Sequence, residues 1–367
     1  MTSFRNLADG SLVWPHGLTL VAGENGQGKT NLLEAIFFLA MGRSFRVSRL
    51  DRLVRRGEPL FHLEAQVRSR GVSHRLEVTA GQGERGRQLD GKAAGLADTL
   101  NSFACLVFAS PRLDLFRGSP QDRRRFLDRG VASIWPDLLP VYRDQVRAGR
   151  QKNELLRRAR ESGGGTQVRD QIQAFNRRLA QSGSRIQQAR QRYVDLLHVE
   201  LVESDALGGL VPGSIPRLAY RPSPRLNWSP MEGVNEIAAA LCAAFDERMD
   251  EEMRRGVALL GPQRDTLSIT QDGCEMATYA SSGQQRAALI ALKICKMLVH
   301  KKLTGDYPVL LVDDVDSELD AERTRRALRI LNGEFQAIVA SARGAAWPES
   351  RPGSRLIRVR NGIITLA

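Results

Sequence analysis

The stretch LTLVAGENGQGKTNLLEAI at residues 18–36 joins an apolar run, a glycine-containing turn and the start of an apolar helix. Its GxxxxGKT spacing is that of a phosphate-binding loop. In such a loop, backbone N–H groups surround the phosphates, the lysine reaches the terminal phosphates and the threonine hydroxyl ligates Mg²⁺. A glycine-rich turn that binds no nucleotide is the alternative. The predicted nucleotide-binding residues are Gly23, Glu24, Asn25, Gly26, Gln27, Gly28, Lys29, Thr30 and Asn31.

A second stretch, YPVLLVDDVDSELD at residues 307–320, has four apolar residues that run into two aspartates. Such a run is typical of a buried parallel strand. We expect Asp313 to join Thr30 in the Mg²⁺ shell and Asp314 to polarise an attacking water. Lys29 and Asp314 are therefore the predicted catalytic residues, and an exposed acidic turn after a core strand is the alternative.

A third stretch, ASSGQQRAALIALKI at residues 280–294, places small polar residues and a glycine before a helix that is apolar on one face. A serine hydroxyl, a glycine N–H and the positive end of a helix all favour a terminal phosphate. The sequence therefore predicts a second phosphate-binding element, with an ordinary capped core helix as the alternative. Its residues are Ser281, Ser282, Gly283 and Gln284.

The elements that must position these motifs follow from the hydrophobic pattern. Strand-like runs and turns alternate from residue 17 to about 105, and strand patterns return after residue 256 with helices between them. The residues between have apolar periods of three and four, typical of helices. The predicted fold class is α/β, a mixed sheet with helices and an inserted helical domain. We predict a discontinuous head of residues 1–118 and 257–367, and a helical insert of residues 119–256.

A short antiparallel helical arm is predicted within the insert. Two series of positions alternate by three and four residues, as in a coiled-coil seam, and SGGGT at residues 162–166 can form the turn between them. Two helices of about 25 residues would extend roughly 35–40 Å; packing of part of the seam against the head is the alternative. The stronger series is Ile172, Phe175, Leu179, Ser182, Ile186, Ala189, Tyr193 and Leu196, and the weaker is Leu139, Tyr142, Val146, Gly149, Asn153 and Leu156.

The charge balance favours a polyanionic partner. The 367 residues include 54 Lys and Arg against 41 Asp and Glu, a net charge of +13. Nucleic acid is the first candidate and an anionic membrane the second, although arginine-rich codon usage would give the same composition. For any single arginine, solvated surface is the alternative. The candidate DNA contacts are Arg43, Arg46, Arg49, Arg52, Arg55, Arg56, Arg123, Arg124 and Arg125.

The cysteines and the apolar segments indicate the cellular compartment of the protein. The four cysteines and five histidines show no zinc-ligand spacing. The N-terminus has no apolar signal region, and no run of about 18 apolar residues indicates a membrane span. We expect a cytoplasmic protein without a membrane partner.

The order of the motifs is similar to that of ABC-type ATPases. The phosphate loop comes first, SSGQ precedes the aspartate strand, and SELD at residues 317–320 follows it. In that superfamily the signature helix of one subunit faces the γ-phosphate bound by the other. The resemblance implies ATP and Mg²⁺ as cofactors and an ATP-dependent homodimer, in which the element at Ser281 acts on the partner's ATP.

Blocks along the whole chain resemble the RecF family of recombination mediators. They are FRN at residues 4–6, GENGQGKTNLLEAI at 23–36, GRSFR at 42–46, DRRRFLD at 122–128, GPQRD at 261–265, SSGQQR at 281–286 and LLVDDVDSELD at 310–320. The resemblance implies a slow ATPase that binds double-stranded DNA or a single/double-strand junction without sequence preference. It also implies that the protein works with RecO and RecR to help RecA replace single-strand-binding protein, and that it contributes to the SOS response.

Two other classes of protein remain as alternatives. A structural chromosome ATPase of the SMC type needs long arms, which an insert of about 140 residues cannot supply at helical rise. A small-molecule P-loop kinase leaves the signature helix and SELD unexplained.

Overall fold

The computed structural model describes residues 1–108, 113–163, 165–204, 207, 210–225, 233–313, 335–342 and 355–366. The chain divides into two compact units. We call Met1–Arg112, Ser204–Pro212 and Arg286–Ala367 the head unit, and Leu113–Glu203 with Gly213–Gln285 the helical unit.

The main sheet of the head unit has six strands. They are β1 Leu18–Ala22, β6 Cys105–Phe108, β10 Val309–Val312, β11 Ala337–Ser341, β12 Arg355–Arg360 and β13 Ile363–Leu366. Their order is β13-β12-β1-β11-β10-β6, with every pairing parallel except that of β12 with β13. The carboxyl ends of the parallel strands therefore meet at one edge of the sheet, where open α/β sheets bind ligands.

A separate antiparallel sheet completes the head unit. Its strands are β2 Leu60–Ser69, β3 Val72–Gly81, β4 Glu84–Leu89 and β5 Lys92–Ala93, paired in chain order. Residues Leu76, Val78 and Ala80 are buried and alternate with less buried neighbours, as expected for a sheet with one face toward a core. The α/β fold class is confirmed, and the strand patterns before residue 105 resolve into two sheets.

Helix α1, Lys29–Met41, follows the phosphate-binding loop and lies between these two sheets. Ten of its thirteen residues are buried, because its side chains pack against Phe61 and Val78 of the antiparallel sheet and Leu311 and Ile338 of the main sheet. A helix with apolar residues on all faces is stable only when it is buried on all sides, as α1 is. The phosphate-binding loop is therefore attached to a helix that the core holds on both faces.

The helical unit combines helices with a small antiparallel sheet. Its elements are α3 Asp114–Arg117, α4 Pro120–Ile134, α5 Leu139–Ser162, α6 Thr166–Glu203, β7 Arg217–Arg221, α7 Val234–Glu247, α8 Met249–Arg255, β8 Thr266–Gln271, β9 Cys274–Glu275 and α9 Met276–Tyr279. The strands pair in the order β7-β8-β9. Helix α10, Ser282–Thr304, begins in this unit and belongs to the head unit from Arg286 onward. The head unit also contains the short helix α2, Leu96–Ser102.

Strand β7 corrects the expectation that residues 119–256 are entirely helical. It pairs with β8, so residues 266–271 pack with the helical unit. The compact units divide the chain at 112/113, 203/204, 212/213 and 285/286. The alternation in RLAYR, with Leu218 and Tyr220 buried, was the signal for this strand. The domain boundaries proposed from composition, 118/119 and 256/257, stay a prediction.

Helices α5 and α6 fold back on each other as predicted. Arg178 pairs with Asp144, and the Ser182 hydroxyl donates to Gln145 at 2.5 Å. Ala148 packs with Leu179 and Leu156 packs with Ile172, so the two helices run antiparallel. The weaker seam was predicted in the wrong register, because Val146 is 53% exposed while Lys152 is 1% exposed. A lysine does not count as an apolar position in a sequence pattern, so the buried face of α5 escaped detection.

Lys152 is buried because it forms an ion pair with Glu252 on α8, with 2.6 Å between nitrogen and oxygen. Its ammonium also lies 5.2 Å from the centroid of the Phe245 ring on α7. A second carboxylate oxygen of Glu252 accepts the backbone N–H of Leu259 at 2.7 Å. The pair therefore joins α5 to α8 in the interior of the helical unit.

Lys152→Met is expected to lower the free energy of unfolding by about 3–5 kcal/mol, because it leaves the buried charge of Glu252 without its partner. The measurement is urea unfolding followed by circular dichroism. Arg157→Met is the matched control, since Arg157 pairs with Glu154 on the exposed surface of the same helix and should cost at most about 1 kcal/mol. Equal losses in the two variants would contradict this role of the buried pair.

Two blocks of the helical unit that carried the family resemblance meet at a buried ion cluster. Arg190 on α6 donates to the Asp265 carboxylate at 2.6 Å and to that of Asp128 at 2.9 Å. The Tyr220 hydroxyl also donates to Asp265. DRRRFLD and GPQRD thus each supply one carboxylate to the same guanidinium, which gives both blocks a structural reason within this unit.

No helix in the described ranges is long and apolar enough to cross a membrane. All four cysteines lie in the described part of the chain, and no disulfide joins any two of them.

Candidate nucleotide-binding site

Two predicted functional residues lie together at the carboxyl edge of the main sheet. The phosphate-binding loop, residues 23–28, follows β1, and Asp313 follows β10. The Thr30 hydroxyl, in the first turn of α1, donates to the Asp313 carboxylate at 2.8 Å. The backbone N–H of Asp313 is in turn fixed by the Phe108 carbonyl at 2.7 Å. Residues 283 positions apart in the sequence therefore form one polar centre.

Lys29 lies inside the curve of the phosphate-binding loop. Its side chain is 8% exposed as part of the buried start of α1, and its ammonium donates to the carbonyl oxygens of Gly23 at 2.6 Å and Glu24 at 2.8 Å. Glu24, Asn25 and Gly26 are exposed at the tip of the loop. The positive charge is thus held where the loop surrounds its ligand.

Gly28, the last glycine of the loop, is required by both backbone and space. Its φ of +117° lies in a region that favours glycine. A Cβ there would lie 3.0 Å from the Leu7 side chain and 3.1 Å from the Asn6 amide oxygen. The N-terminal segment therefore packs directly against the loop.

Sequence reasoning did not find the polar contacts that support α1. The Asn31 amide donates to the Asn6 side chain at 2.7 Å, and Arg46 donates to the Asn31 oxygen at 3.0 Å. Glu34 is fully buried and accepts two hydrogen bonds from Arg5, at 2.9 and 3.0 Å. The FRN and GRSFR blocks were the available signal, since both supply partners to the first turns of α1.

The second predicted phosphate-binding element is a capped helix start in the helical unit. The Ser281 hydroxyl accepts the backbone N–H of Gln284 at 3.2 Å, and the Gln284 side chain accepts the backbone N–H of Ser281 at 2.8 Å. This reciprocal pair is a capping box. Ser281, Ser282 and Gly283 are exposed, so the positive N-terminal end of helix α10 faces solvent.

Two residues that the sequence analysis missed hold this helix start in place. Arg117 donates to the Ser282 hydroxyl at 2.6 Å and to the Gln285 side chain at 2.8 Å. Gln285 is buried and donates to the carbonyls of Met276 at 2.8 Å and Ala280 at 3.1 Å. No pattern in the sequence marked Arg117, because its partners are 165 and 168 positions away. It adds a positive charge beside the helix N-terminus.

Gly283 has no structural requirement within the helical unit. It lies in the first turn of α10, and a Cβ there would approach only the Ser281 hydroxyl, at 3.9 Å. Alanine is a better helix former than glycine, by about 1 kcal/mol. A glycine that neither the backbone nor the neighbours require leaves room for a group from outside the chain.

The candidate DNA-contact arginines fall into two groups by their partners. Arg123 donates to the carbonyls of Leu267 and Phe116 at 3.2 and 3.3 Å. Arg124 donates to the carbonyl of Asp265 at 3.0 Å, and burial lowers the pKa of its guanidinium. Both side chains support the helical unit and are the least suited of the set to bind phosphate.

The other candidates are on or near the surface. Arg52 and Arg56 are exposed, and Arg43 lies 5.9 Å from the centroid of the Phe37 ring. Arg49, Arg55 and Arg125 pair with Asp51, Asp9 and Asp122. Their assignment to DNA binding stays a prediction, as do the roles of the nucleotide-site residues. Asp314 and the SELD segment lie outside the described residues.

Comparison with known proteins gives one consistent family. The model of the RecF/RecN/SMC N-terminal domain matches residues 1–365. A DNA replication and repair protein RecF from Anaeromyxobacter sp. (strain Fw109-5) is 36% identical, over 99% of this chain and 96% of its own length. The RecF protein of Myxococcus xanthus (strain DK1622) is 34% identical, over 97% and 95%.

Solved structures agree with this relationship. The structure of the recombination mediator protein RecF with ATP, from the RecFOR pathway, has a TM-score of 0.87 and 28% identity, covering 100% of this chain and 95% of that one. An SMC head bound to the C-winged helix domain of ScpA has a TM-score of 0.53 at 15% identity, which shows a shared fold alone. The ABC-type head fold, the phosphate-binding loop and the full-length similarity lead to one assignment: the chain belongs to the RecF family of DNA replication and repair proteins, within the RecF/RecN/SMC group of ATPases.

Proposed function

We propose that this chain binds ATP and Mg²⁺ at the loop of residues 23–30, dimerises on ATP and binds DNA at gaps or junctions, with slow hydrolysis releasing it. The contact between Thr30 and Asp313, at 2.8 Å, is the observation that carries the proposal. It places a hydroxyl and a carboxylate side by side at the carboxyl edge of the sheet, and the ammonium of Lys29 lies within the loop that precedes Thr30.

This donor set fits Mg²⁺, which prefers oxygen ligands and is commonly held by one or two protein side chains together with substrate phosphates. Thr30 and Asp313 would hold the ion. When bound, Mg²⁺ would neutralise charge on the terminal phosphates during their hydrolysis. Lys29 would bind the same phosphates, and Asp314 is proposed as the residue that orients the attacking water.

ATP-dependent dimerisation is proposed from the helix start at Ser281. The capping box uses two side-chain oxygens and two backbone N–H groups, those of Ser281 and Gln284, while Gly283 and the exposed N-terminal end of the helix stay available for an anion. The γ-phosphate of the ATP bound by a partner subunit is that anion, and ADP has no γ-phosphate. ATP thus joins two copies, and its hydrolysis weakens the contact.

Action in recombinational repair is proposed from the family and the charge. A net charge of +13 favours a nucleic acid partner, bound through its backbone without sequence preference. A role with RecO and RecR in loading RecA, and a contribution to the SOS response, are proposed from the resemblance to the RecF family. This family membership favours the repair ATPase over an SMC-type structural protein or a small-molecule kinase.

Binding to a gapped DNA duplex is expected to be stronger with ATP·Mg than with ADP·Mg and to weaken steeply with salt, because each phosphate contact releases counterions. The measurement is the slope of log K against log salt concentration, by fluorescence anisotropy. Arg52→Gln with Arg56→Gln should reduce that slope by about 0.9 for each DNA phosphate that the variant no longer neutralises. The matched control is Arg157→Gln with Arg158→Gln, two exposed arginines that share Glu154.

Two results would count against the proposal. One is an affinity for DNA that hardly changes between about 50 and 200 mM salt, where phosphate contacts predict losses of several orders of magnitude. The other is transfer of the γ-phosphate to an acceptor other than water, which would favour a kinase.

A further inference from the structure

The C-terminal hairpin of the head unit touches the phosphate-binding loop. Strands β12 and β13 are joined by a two-residue turn, Asn361–Gly362, with Arg360 paired to Ile363. Both turn residues have positive φ, +50° and +80°, which is the type I′ turn favoured in short hairpins. The pairing of asparagine with glycine is the usual sequence for this geometry.

Three other hairpins in the described residues have turns of the same kind, which allows a direct comparison. They are Arg70–Gly71, Asp90–Gly91 and Asp272–Gly273, each with positive φ at both positions. A Cβ added to any of these three glycines would meet nothing within 4 Å. A Cβ added to Gly362 would overlap the backbone carbonyl of Asn6. Among these four turn glycines, only Gly362 lies so close to another segment that a Cβ would overlap its backbone.

Gln27 is the residue of the loop that this turn holds. The backbone N–H of Gly362 donates to the Gln27 carbonyl at 2.9 Å, and the backbone N–H of Asn361 donates to the Gln27 side-chain oxygen at 2.5 Å. The Gly362 carbonyl accepts the N–H of Ala8 at 2.8 Å, which closes the contact with the N-terminal segment. In a two-residue hairpin the backbone N–H groups of the two turn residues face away from the hydrogen bonds that pair the strands. Here both of these N–H groups donate to Gln27.

The orientation of one peptide group connects these contacts to nucleotide binding. In a planar trans peptide the C=O and the following N–H point in opposite directions. Holding the Gln27 carbonyl outward, toward Gly362, therefore turns the N–H of Gly28 toward the inside of the loop. That N–H is one of the groups that a phosphate-binding loop directs at the phosphates.

We propose that the Asn361–Gly362 turn is a latch that positions the phosphate-binding loop through Gln27, so that nucleotide affinity depends on the C-terminal hairpin. Gln27 and Gly362 are positioning residues. The inference rests on the proposed binding of ATP at this loop. It gives the C-terminal hairpin a role in nucleotide binding that the motif of the phosphate-binding loop does not indicate.

Gly362→Ala is expected to weaken binding of both ATP and ADP by about tenfold, since the overlap with Asn6 displaces the turn and removes its hydrogen bonds to Gln27. The measurement is isothermal titration with each nucleotide and Mg²⁺, on protein that circular dichroism shows to be folded at the working temperature. Gly91→Ala is the matched control, because it places the same side chain at a φ of +77° with no neighbour within reach. Its affinity should equal that of the wild type.

A second variant keeps the test decisive if Gly362→Ala does not fold. Gln27→Ala removes only the acceptor of the Asn361 N–H and should weaken nucleotide binding by about fivefold. A purely structural turn would lower the melting temperature and leave the affinity of folded protein unchanged. If Gln27→Ala, or folded Gly362→Ala, binds nucleotide with the affinity of the wild type, the proposed role of the Asn361–Gly362 turn is wrong. A wild-type chain that binds no ATP would instead refute the proposed function.

Discussion

Lys29→Met is expected to raise the dissociation constant for ATP by on the order of a hundredfold, while the chain stays folded. The ammonium of Lys29 already lies within the phosphate-binding loop, where it donates to the carbonyls of Gly23 and Glu24. A bound triphosphate gives this charge a stronger acceptor at the same place. Hydrogen bonds to charged groups are worth about 1.5–3 kcal/mol, and the upper end corresponds to roughly two orders of magnitude in Kd.

Methionine is a suitable replacement because it has a similar unbranched length and fits apolar surroundings without charge. The loop carbonyls of Gly23 and Glu24 lose their donor, so we also expect a small loss of stability, about 1 kcal/mol for each hydrogen bond. Titration of ATP·Mg into the folded variant measures the affinity. Lys92→Met, on an exposed strand of the same unit, is the control for the loss of one positive charge. Unchanged ATP affinity in Lys29→Met would place the nucleotide elsewhere.

Patterns that are local in sequence were the ones that could be read correctly. The phosphate-binding loop combines strand, turn and helix within 19 residues, and the structure has β1 and α1 at these positions. The run before Asp313 indicated a buried strand, and β10 is one. The antiparallel pair of α5 and α6 followed from spacing together with the SGGGT turn, although the buried face of α5 was predicted in the wrong register. In β1, β10, α1 and α6 the period of the apolar residues matches the geometry of the element.

Contacts that depend on distant residues could not be predicted in this way. Lys152 is buried because Glu252 lies opposite, and a pattern of apolar positions cannot include a charged residue. Arg124 was a candidate for DNA, yet its donor is used on the Asp265 carbonyl, 141 positions away. Gln27 was predicted only as a nucleotide-binding residue of the loop, and no sequence pattern indicated that its two partners come from the C-terminal hairpin. The spacing of residues indicates which face of a helix or strand is buried, but not which distant residues pack against that face.

Ser281→Asp is expected to prevent ATP-dependent dimerisation without destabilising the helix that Ser281 begins. In the capping box, the Ser281 hydroxyl accepts the N–H of Gln284 at 3.2 Å. Aspartate is as good an N-cap as serine, so the fold and the stability should be retained. Its negative charge would face the partner's γ-phosphate, and like charges repel strongly where water is excluded. This substitution therefore separates capping from phosphate binding.

The measurement is the solution mass by sedimentation, in an Asp314→Asn background that is proposed to block hydrolysis. Without the Ser281 change, the mass should double with ATP·Mg and stay that of one chain with ADP·Mg or without nucleotide. With Ser281→Asp it should stay that of one chain in all three conditions, while titration still detects ATP bound at the loop. Ser281→Arg should also fail to dimerise, because its bulk occupies the space beside Gly283.

The two replacements at Ser281 have opposite charge, which makes their combined result informative. Aspartate keeps the cap and repels phosphate, whereas arginine loses the cap and attracts phosphate but fills the space. Failure of both variants to dimerise, with normal stability in Ser281→Asp, can arise only if a group from outside the chain must approach this helix start. Normal dimerisation of Ser281→Asp would mean that residues 281–284 only begin a core helix, and that the ATP-dependent contact between copies lies elsewhere.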